Sequence, residues 1–200
     1  MSQNDLVIIS ELGSKFGNQT VLYQQPTIDG TSTIWTDRNN LIPVLKYLKN
    51  EITLPFKMLY DLTGIDERTR TRRDGQPASD FSVVYHLTSF ERNQDIRLKV
   101  ALKDEDINIP SITSVWESAN WYEREVFDMF GINFTGHPKL TRILMPKTWK
   151  GYPLRKEHPA RATELDPFVL TESIREEEEA NLKFSPEEYG LDTKSEDTDF

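Results

Sequence analysis

SVVYHLTSF (residues 82–90) followed by DIRLKVAL (residues 95–102) is the stretch that decides the fold. Both runs alternate apolar and polar side chains, and the link between them is short and polar. Period-two alternation puts every second side chain on one face, so the pair reads as adjacent strands with a shared buried face. Upstream, FKMLYDLTGID (residues 56–66) alternates in the same way. It predicts a third strand, with Phe56, Met58, Tyr60 and Leu62 on one side. The arginine-rich link from Glu67 to Gly75 reads as an exposed loop between strands.

Working toward the N-terminus, Leu6, Ile9, Leu12 and Phe16 recur at intervals of three or four, which predicts an amphipathic helix ending at Gly17. VLYQQPTI (21–28) and TSTIWTD (31–37) are rich in strand formers and flank Asp29-Gly30, a strong hairpin signal. From Arg38 the helical period returns in Leu41, Val44, Leu45 and Leu48, with Pro43 in the first turns, where proline is tolerated. Helix, two strands, helix, three strands is the order of an α+β two-layer sandwich. Its sheet is antiparallel or mixed, with helices on one side.

Past Pro110 a short helix is expected around Thr113 to Trp116, then a longer one in NWYEREVFDMFG (120–131). Trp121, Val126, Met129 and Phe130 would share a face of it, with Asn120 as N-cap and Gly131 as C-cap. Gly136-His137-Pro138, Pro146, Gly151, Pro153, Pro159 and Pro167 follow, a density that argues against regular elements. The expected organisation is an α+β domain over residues 1–130 and an extended basic arm over 131–170. An acidic tail or linker covers 171–200.

Two hundred residues suffice for one such domain. No apolar run approaches the roughly 18 residues of a membrane-spanning helix, and MSQNDLVIISELGSKFG lacks the basic and small-residue features of a secretory signal. With no cysteine, the chain cannot form a disulfide, use a thiol nucleophile or ligate an iron–sulfur cluster through thiolate. Any electron-transfer centre must then belong to a partner. The absence of cysteine also fits a reducing compartment.

The net charge of -9 is concentrated: residues 171–200 carry eleven acids against three bases, so the rest is nearly neutral. Within the body, Lys139, Arg142, Lys147, Lys150, Arg155, Lys156 and Arg161 form a basic run opposed only by Glu157. Arg68, Arg70, Arg72 and Arg73 form a second cluster. A nucleic-acid-binding module would use these two clusters, but a near-neutral body with an acidic tail is a poor electrostatic match to phosphate.

Glu123, Arg124, Glu125 and Asp128 fall within two turns of one helix, with Arg124 and Asp128 spaced for an ion pair. Such a pair is the plain reading, and acid–base chemistry by Glu123, Asp128 and His137 is the sharper one, requiring a cleft. His86, His137 and His158 lie far apart without metal-ligand spacing, and His86 reads as a strand residue bonded to backbone. GYPLRKEHPARATE (151–164) is either a solvated connector or an interface arm. Arginine, tyrosine and proline favour the interface.

Taken together, WYEREVFDMFGINFTGHPKLTRILMPKTWKGYPLRKEHPARATE (121–164) resembles the signature of the 30-kDa subunit, or C subunit, of respiratory complex I, the proton-pumping NADH:quinone oxidoreductase. The resemblance extends to LYDLTGIDERTRTRRDG, DFSVVYHL and RLKVAL and covers about residues 5 to 190. Glu157-His158 departs from the family's more usual aspartate after Arg-Lys, with charge retained. PARATELDPF and KFSPEEYG look most like the form in which the C and D subunits are fused in one polypeptide. The resemblance implies a subunit of the peripheral arm with no catalytic, cofactor-binding or metal-binding residues of its own. It would sit at the cytoplasmic face of the inner membrane, bound there only through the complex. FMN and iron–sulfur clusters would reside in partner subunits. The D subunit and the cluster-bearing subunits would be the partners, with no nucleic acid. Carried over by motif, the interface residues are Glu123, Arg124, Asp128, His137, Arg142, Trp149, Arg155 and Lys156.

Overall fold

In the computed structural model, residues 3–158 are described, except Asn18, Lys147 and Thr148. The chain divides after His158, and all the described residues belong to the first unit, Met1–His158. The far end of the expected arm, including Arg161, and the whole acidic tail lie outside the described residues.

The order of elements is α1 (Gln3–Phe16), β1 (Val21–Gln25), β2 (Ser32–Thr36), α2 (Leu41–Asn50), β3 (Met58–Asp66), β4 (Phe81–Ser89) and β5 (Gln94–Leu102). After these come β6 (Asn108–Pro110), α3 (Ala119–Phe130) and β7 (Asn133–Thr135). Strands β1 to β5 build one mixed sheet in the order β1-β2-β5-β4-β3, antiparallel throughout except for the parallel β2/β5 pair. Helices cover one face of it, as the α+β two-layer reading requires. Period-two register sets that face: Val83 pairs with Val100, Tyr85 with Leu98 and Leu87 with Ile96, and all six are buried in the core. Ile8 and Leu12 of α1 and Leu41, Val44, Leu45 and Leu48 of α2 join the same core.

Four local expectations are corrected. Along β3 the register shifts between Leu59 and Asp61, so Phe56, Met58, Tyr60 and Leu62 do not share a face. Leu59 and Leu62 are buried in the core, while Met58 is 40% and Tyr60 58% exposed. The helix expected at Thr113 to Trp116 is a single turn, with the Ile112 carbonyl accepting from Val115 N (2.8 Å) and Trp116 N (3.0 Å). α3 begins at Ala119 with Ser118, not Asn120, at the N-cap position, and Trp121 is 56% exposed rather than on the apolar face. The loop after β3 is exposed only from Thr69 onward: Glu67 is buried on the other face of the sheet. There it accepts from Ser82 Oγ (2.7 Å) and Lys99 Nζ (3.0 Å), and the lysine lies over the ring of Trp35. The parallel β6/β7 pair is too short to show a period in the sequence.

α3 crosses the core face over β3 at Gly64. A Cβ at that glycine would meet Phe130 Cδ2 at 2.7 Å and Val126 at 3.1 Å, so the missing side chain is what lets the helix sit this close. Gly131 ends the helix as expected, with φ 74° and its N–H returned to the Phe127 carbonyl.

Candidate functional site: the arm seated on α3

Seven of the twelve residues of α3 are buried, including the charged Glu123, Arg124 and Asp128. A surface helix buries one stripe; this one is covered by the sheet on one side and by the chain after β7 on the other. Asp128 organises the outer contact. Its Oδ1 accepts from Arg142 Nη1 (2.9 Å), and its Oδ2 accepts from the consecutive backbone N–H groups of Ile143 (3.0 Å), Leu144 (2.7 Å) and Met145 (2.9 Å). Three amides without ladder partners thereby find an acceptor, and a fully buried carboxylate finds its countercharge. Arg142 reaches on to the Gly151 carbonyl (3.0 Å) and lies over the Tyr152 ring.

The arm is fastened at further points. Arg124 donates through Nε to the Thr141 carbonyl (3.1 Å) and through Nη2 to Thr141 Oγ1 (2.9 Å). His137 lies with Nε2 3.2 Å from the Asn120 carbonyl and accepts from Lys139 N at Nδ1 (3.0 Å). These partners fix the Nε2–H tautomer, and burial holds the ring below its ordinary pKa, so it is neutral. Leu154 N donates to the Met129 carbonyl (3.1 Å), and Arg155 Nε donates to the Phe130 carbonyl (2.7 Å). The Arg155 guanidinium stacks against the rings of Phe81 and Tyr152. A Cβ on Gly131 would stand 2.5 Å from Tyr152.

At the end of β3, Asp66 closes the fastening. Its carboxylate accepts from Arg68 Nε (3.0 Å), Arg68 Nη2 (2.5 Å), Arg68 N (3.1 Å) and Lys156 N (2.8 Å). Arg68 also pairs with Glu157. Burial works to raise Asp66, but the bonds from Arg68 and Lys156 outweigh it and hold the carboxyl at about 2.

The eight residues carried over from the resemblance therefore separate into groups. Asp128, Arg142, Arg124, His137 and Arg155 converge on the contact between α3 and the arm, and all are spent on partners within the chain. Glu123 is fully buried on the core side, accepting from Ile112 N at 2.6 Å. Trp149 is partly buried with its ring against His158. Lys156 contributes its backbone to Asp66 and turns its side chain outward. Leu144 and Leu154, 60% and 52% exposed, add apolar surface to the outer side of the same segment.

Sequence reasoning missed Asp66, Arg68 and Tyr152 as anchors. The only local signal is the Asp66-Glu67-Arg68 spacing, too common to select. His86 does lie in β4, but its Nε2 is buried without a hydrogen-bond partner, 3.8 Å from the Asp95 carboxylate, and its ring packs edge-on to Tyr60. It is not bonded to backbone through that nitrogen. Because Asp128 is taken up by four donors and Glu123 has no access to solvent, the Glu123, Asp128 and His137 group does not form an open acid–base cleft. Among the described residues no three His, Asp or Glu side chains gather as a metal site, and no helix is long and apolar enough to cross a membrane.

The site is thus an irregular arm strapped to the last helix of a helix-on-sheet body. The family described as "Respiratory-chain NADH dehydrogenase, 30 Kd subunit" matches residues 34–164, and the chain belongs to it. Among its relatives, the NADH-quinone oxidoreductase C/D subunit of Methylococcus capsulatus is 54% identical over 193 residues, covering 96% of this chain and 33% of the relative. The protein of the same name from Pseudomonas aeruginosa is 52% identical over 197 residues, covering 98% and 33%. The chain thus spans about a third of the length of these relatives. A trypsin-resistant fragment of Nqo5 shares the fold with TM-score 0.57 and 28% identity over 68% of this chain and 99% of that one. The membrane-bound sulfane sulfur reductase, an archaeal respiratory membrane complex, contains the same fold at TM-score 0.56, with 16% identity over 92% of this chain and 96% of the matching one.

Proposed function

We propose that this chain is a structural subunit of the peripheral arm of NADH:quinone oxidoreductase, serving the transfer of electrons from NADH to quinone and the coupled translocation of protons by docking on the D subunit. The observation that carries this reading is the strapped arm. Its inward charges are used to hold α3, which leaves a fixed outer rim of Leu144, Leu154 and Lys156 for a partner. Preorganising an irregular segment removes the ordering cost that a free arm would incur on docking.

Electron carriers then lie in the partners. A chain without cysteine supplies no thiolate for a cluster; on this reading FMN and iron–sulfur clusters reside in neighbouring subunits, and attachment to the cytoplasmic face of the inner membrane is through the complex. Nucleic-acid binding is the weaker reading because the arginines that would track phosphate are engaged internally. Arg68 is held by Asp66 and Glu157, Arg142 by Asp128, and Arg155 by the Phe130 carbonyl.

The test uses outward side chains only. Leu154→Asp combined with Lys156→Glu should leave the unfolding midpoint of the chain unchanged while lowering its incorporation into the assembled oxidoreductase on native gels by tenfold or more, as expected for about 2 to 5 kcal/mol lost at a docked rim. Full incorporation of this variant would remove the outer rim as the docking surface.

A further inference from the structure

Glu123 is the one buried charged residue of α3 that the arm does not use. It is fully buried on the core side, with Oε1 accepting from Ile112 N at 2.6 Å and Oε2 left without a hydrogen-bond partner. Tyr85, from the centre of β4 and also fully buried, has a hydroxyl in the same condition, and it lies where the Glu123 charge acts on it. An isolated carboxylate in such a place is costly, whereas a carboxylic acid is not.

We propose that Glu123 sits in the core as the neutral acid, electrostatically coupled to the Tyr85 hydroxyl without a hydrogen bond between them, so that the seat of α3 on the sheet is linked to one protonation. The surrounding groups agree. Burial pushes Glu123 up to about 7, with Ser111 and the Ile112 N–H working in the opposite direction. Burial, and then the negative charge of Glu123, pushes Tyr85 well above its ordinary value.

The charges on neighbouring elements are committed elsewhere. On β3, Asp66 is held by Arg68, and Asp61 has His86 as its cross-strand neighbour. On the arm, Arg142 is held by Asp128 and His137 is neutral. On α3 itself, Arg124 donates to Thr141. β7 carries no titratable side chain. Ionisation of Glu123 sends its proton to solvent and leaves a carboxylate whose donors are the Ile112 N–H and the Ser111 hydroxyl, with the Tyr85 hydroxyl not bonded to it. That loads charge beneath a helix whose other side holds the arm through Asp128, five residues further along.

The deciding experiment is a carboxyl-carbon NMR titration of the full 200-residue chain labelled at glutamate, with the Glu123 resonance assigned by Glu123→Gln. One glutamate should titrate near neutrality while the rest titrate in the ordinary range. Tyr85→Phe should move that midpoint upward by roughly half a unit, a threefold change in proton affinity, because it removes a buried hydroxyl dipole and leaves the ionised form in a still less polar setting. Should Glu123→Gln fail to fold, the comparison of the parent chain with Tyr85→Phe still decides. All glutamates titrating in the ordinary range would overturn the proposal, and so would a near-neutral glutamate that Tyr85→Phe leaves unmoved.

Discussion

Asp128 and Arg142 lie 2.9 Å apart, the carboxylate fully buried in α3 and the arginine reaching in from the arm. The same carboxylate gathers the N–H groups of Ile143, Leu144 and Met145, so a single side chain sets both the position and the backbone conformation of the segment that leaves the body. Asp128→Ala leaves a largely buried guanidinium and three amides without their acceptor. A loss of about 3 to 5 kcal/mol in urea unfolding is expected, with amide exchange at residues 143–145 accelerated above that of β4. Asp128→Asn should rescue this only in part, since its NH₂ group must face either the arginine or the amides.

Close packing at Gly64 makes a second prediction. Adding one methyl group in Gly64→Ala places it against Phe130, and overpacking of this kind costs about 1 to 3 kcal/mol. Thermal unfolding of the single variant and of its combination with Phe130→Leu checks the cause. The smaller partner should restore part of the loss.

Gly131 combines a positive φ with Tyr152 lying over it. Gly131→Ala should therefore cost more than the ~1 kcal/mol of backbone strain alone, and it should loosen the arm before the sheet. Limited proteolysis reads this directly: new cleavage near Gly151 at protease levels that leave the parent chain intact is the expected result.

Acid should release the arm at its far end. Asp66 is held at about 2 in the folded chain against 3.8 unfolded. A depressed carboxyl contributes stability that is present above the unfolded value and lost as pH falls toward the folded one. The linked loss between roughly pH 4 and 2 amounts to about 2 kcal/mol, and Asp66→Asn should flatten the profile in that window.

Alkali acts in the opposite sense on Glu123. A carboxyl raised from 4.5 to about 7 contributes stability that is complete below 4.5 and lost as pH rises through 7. About 3 kcal/mol is at stake. Glu123→Gln should remove the fall between roughly pH 4.5 and 7 in urea unfolding free energies.

The sheet is legible in the sequence because its strands carry long period-two runs: Val83, Tyr85 and Leu87 face the same core that their alternation assigns them. β3 reads with the wrong face because a single-residue register shift reverses every side chain beyond it, and nothing in FKMLYDLTGID marks the shift. The short β6/β7 pair leaves no period to read. Gly131 as the end of α3 is legible from its residue type, while the start is not, since Ser118 caps without a side-chain bond. In the arm, the basic residues stand out in the sequence but their direction does not. Arg142 and Arg155 look like free charges until Asp128 and the Phe130 carbonyl, 14 and 25 residues away, are brought to them by α3. A charge reversal at Arg155 would therefore break the fastening of the arm, whereas Lys156 reports on the outer rim.

A chain that works as a docked subunit of a larger oxidoreductase should never be recovered by itself from its own cell. Affinity purification of the tagged chain from membrane and soluble fractions, with mass spectrometry of the partners and NADH:quinone activity assayed on the eluate, tests this most directly. Recovery of the D subunit and the cluster-bearing subunits with activity is the predicted result. Recovery of the chain alone, or with nucleic acid retained in a salt-dependent way, would contradict it.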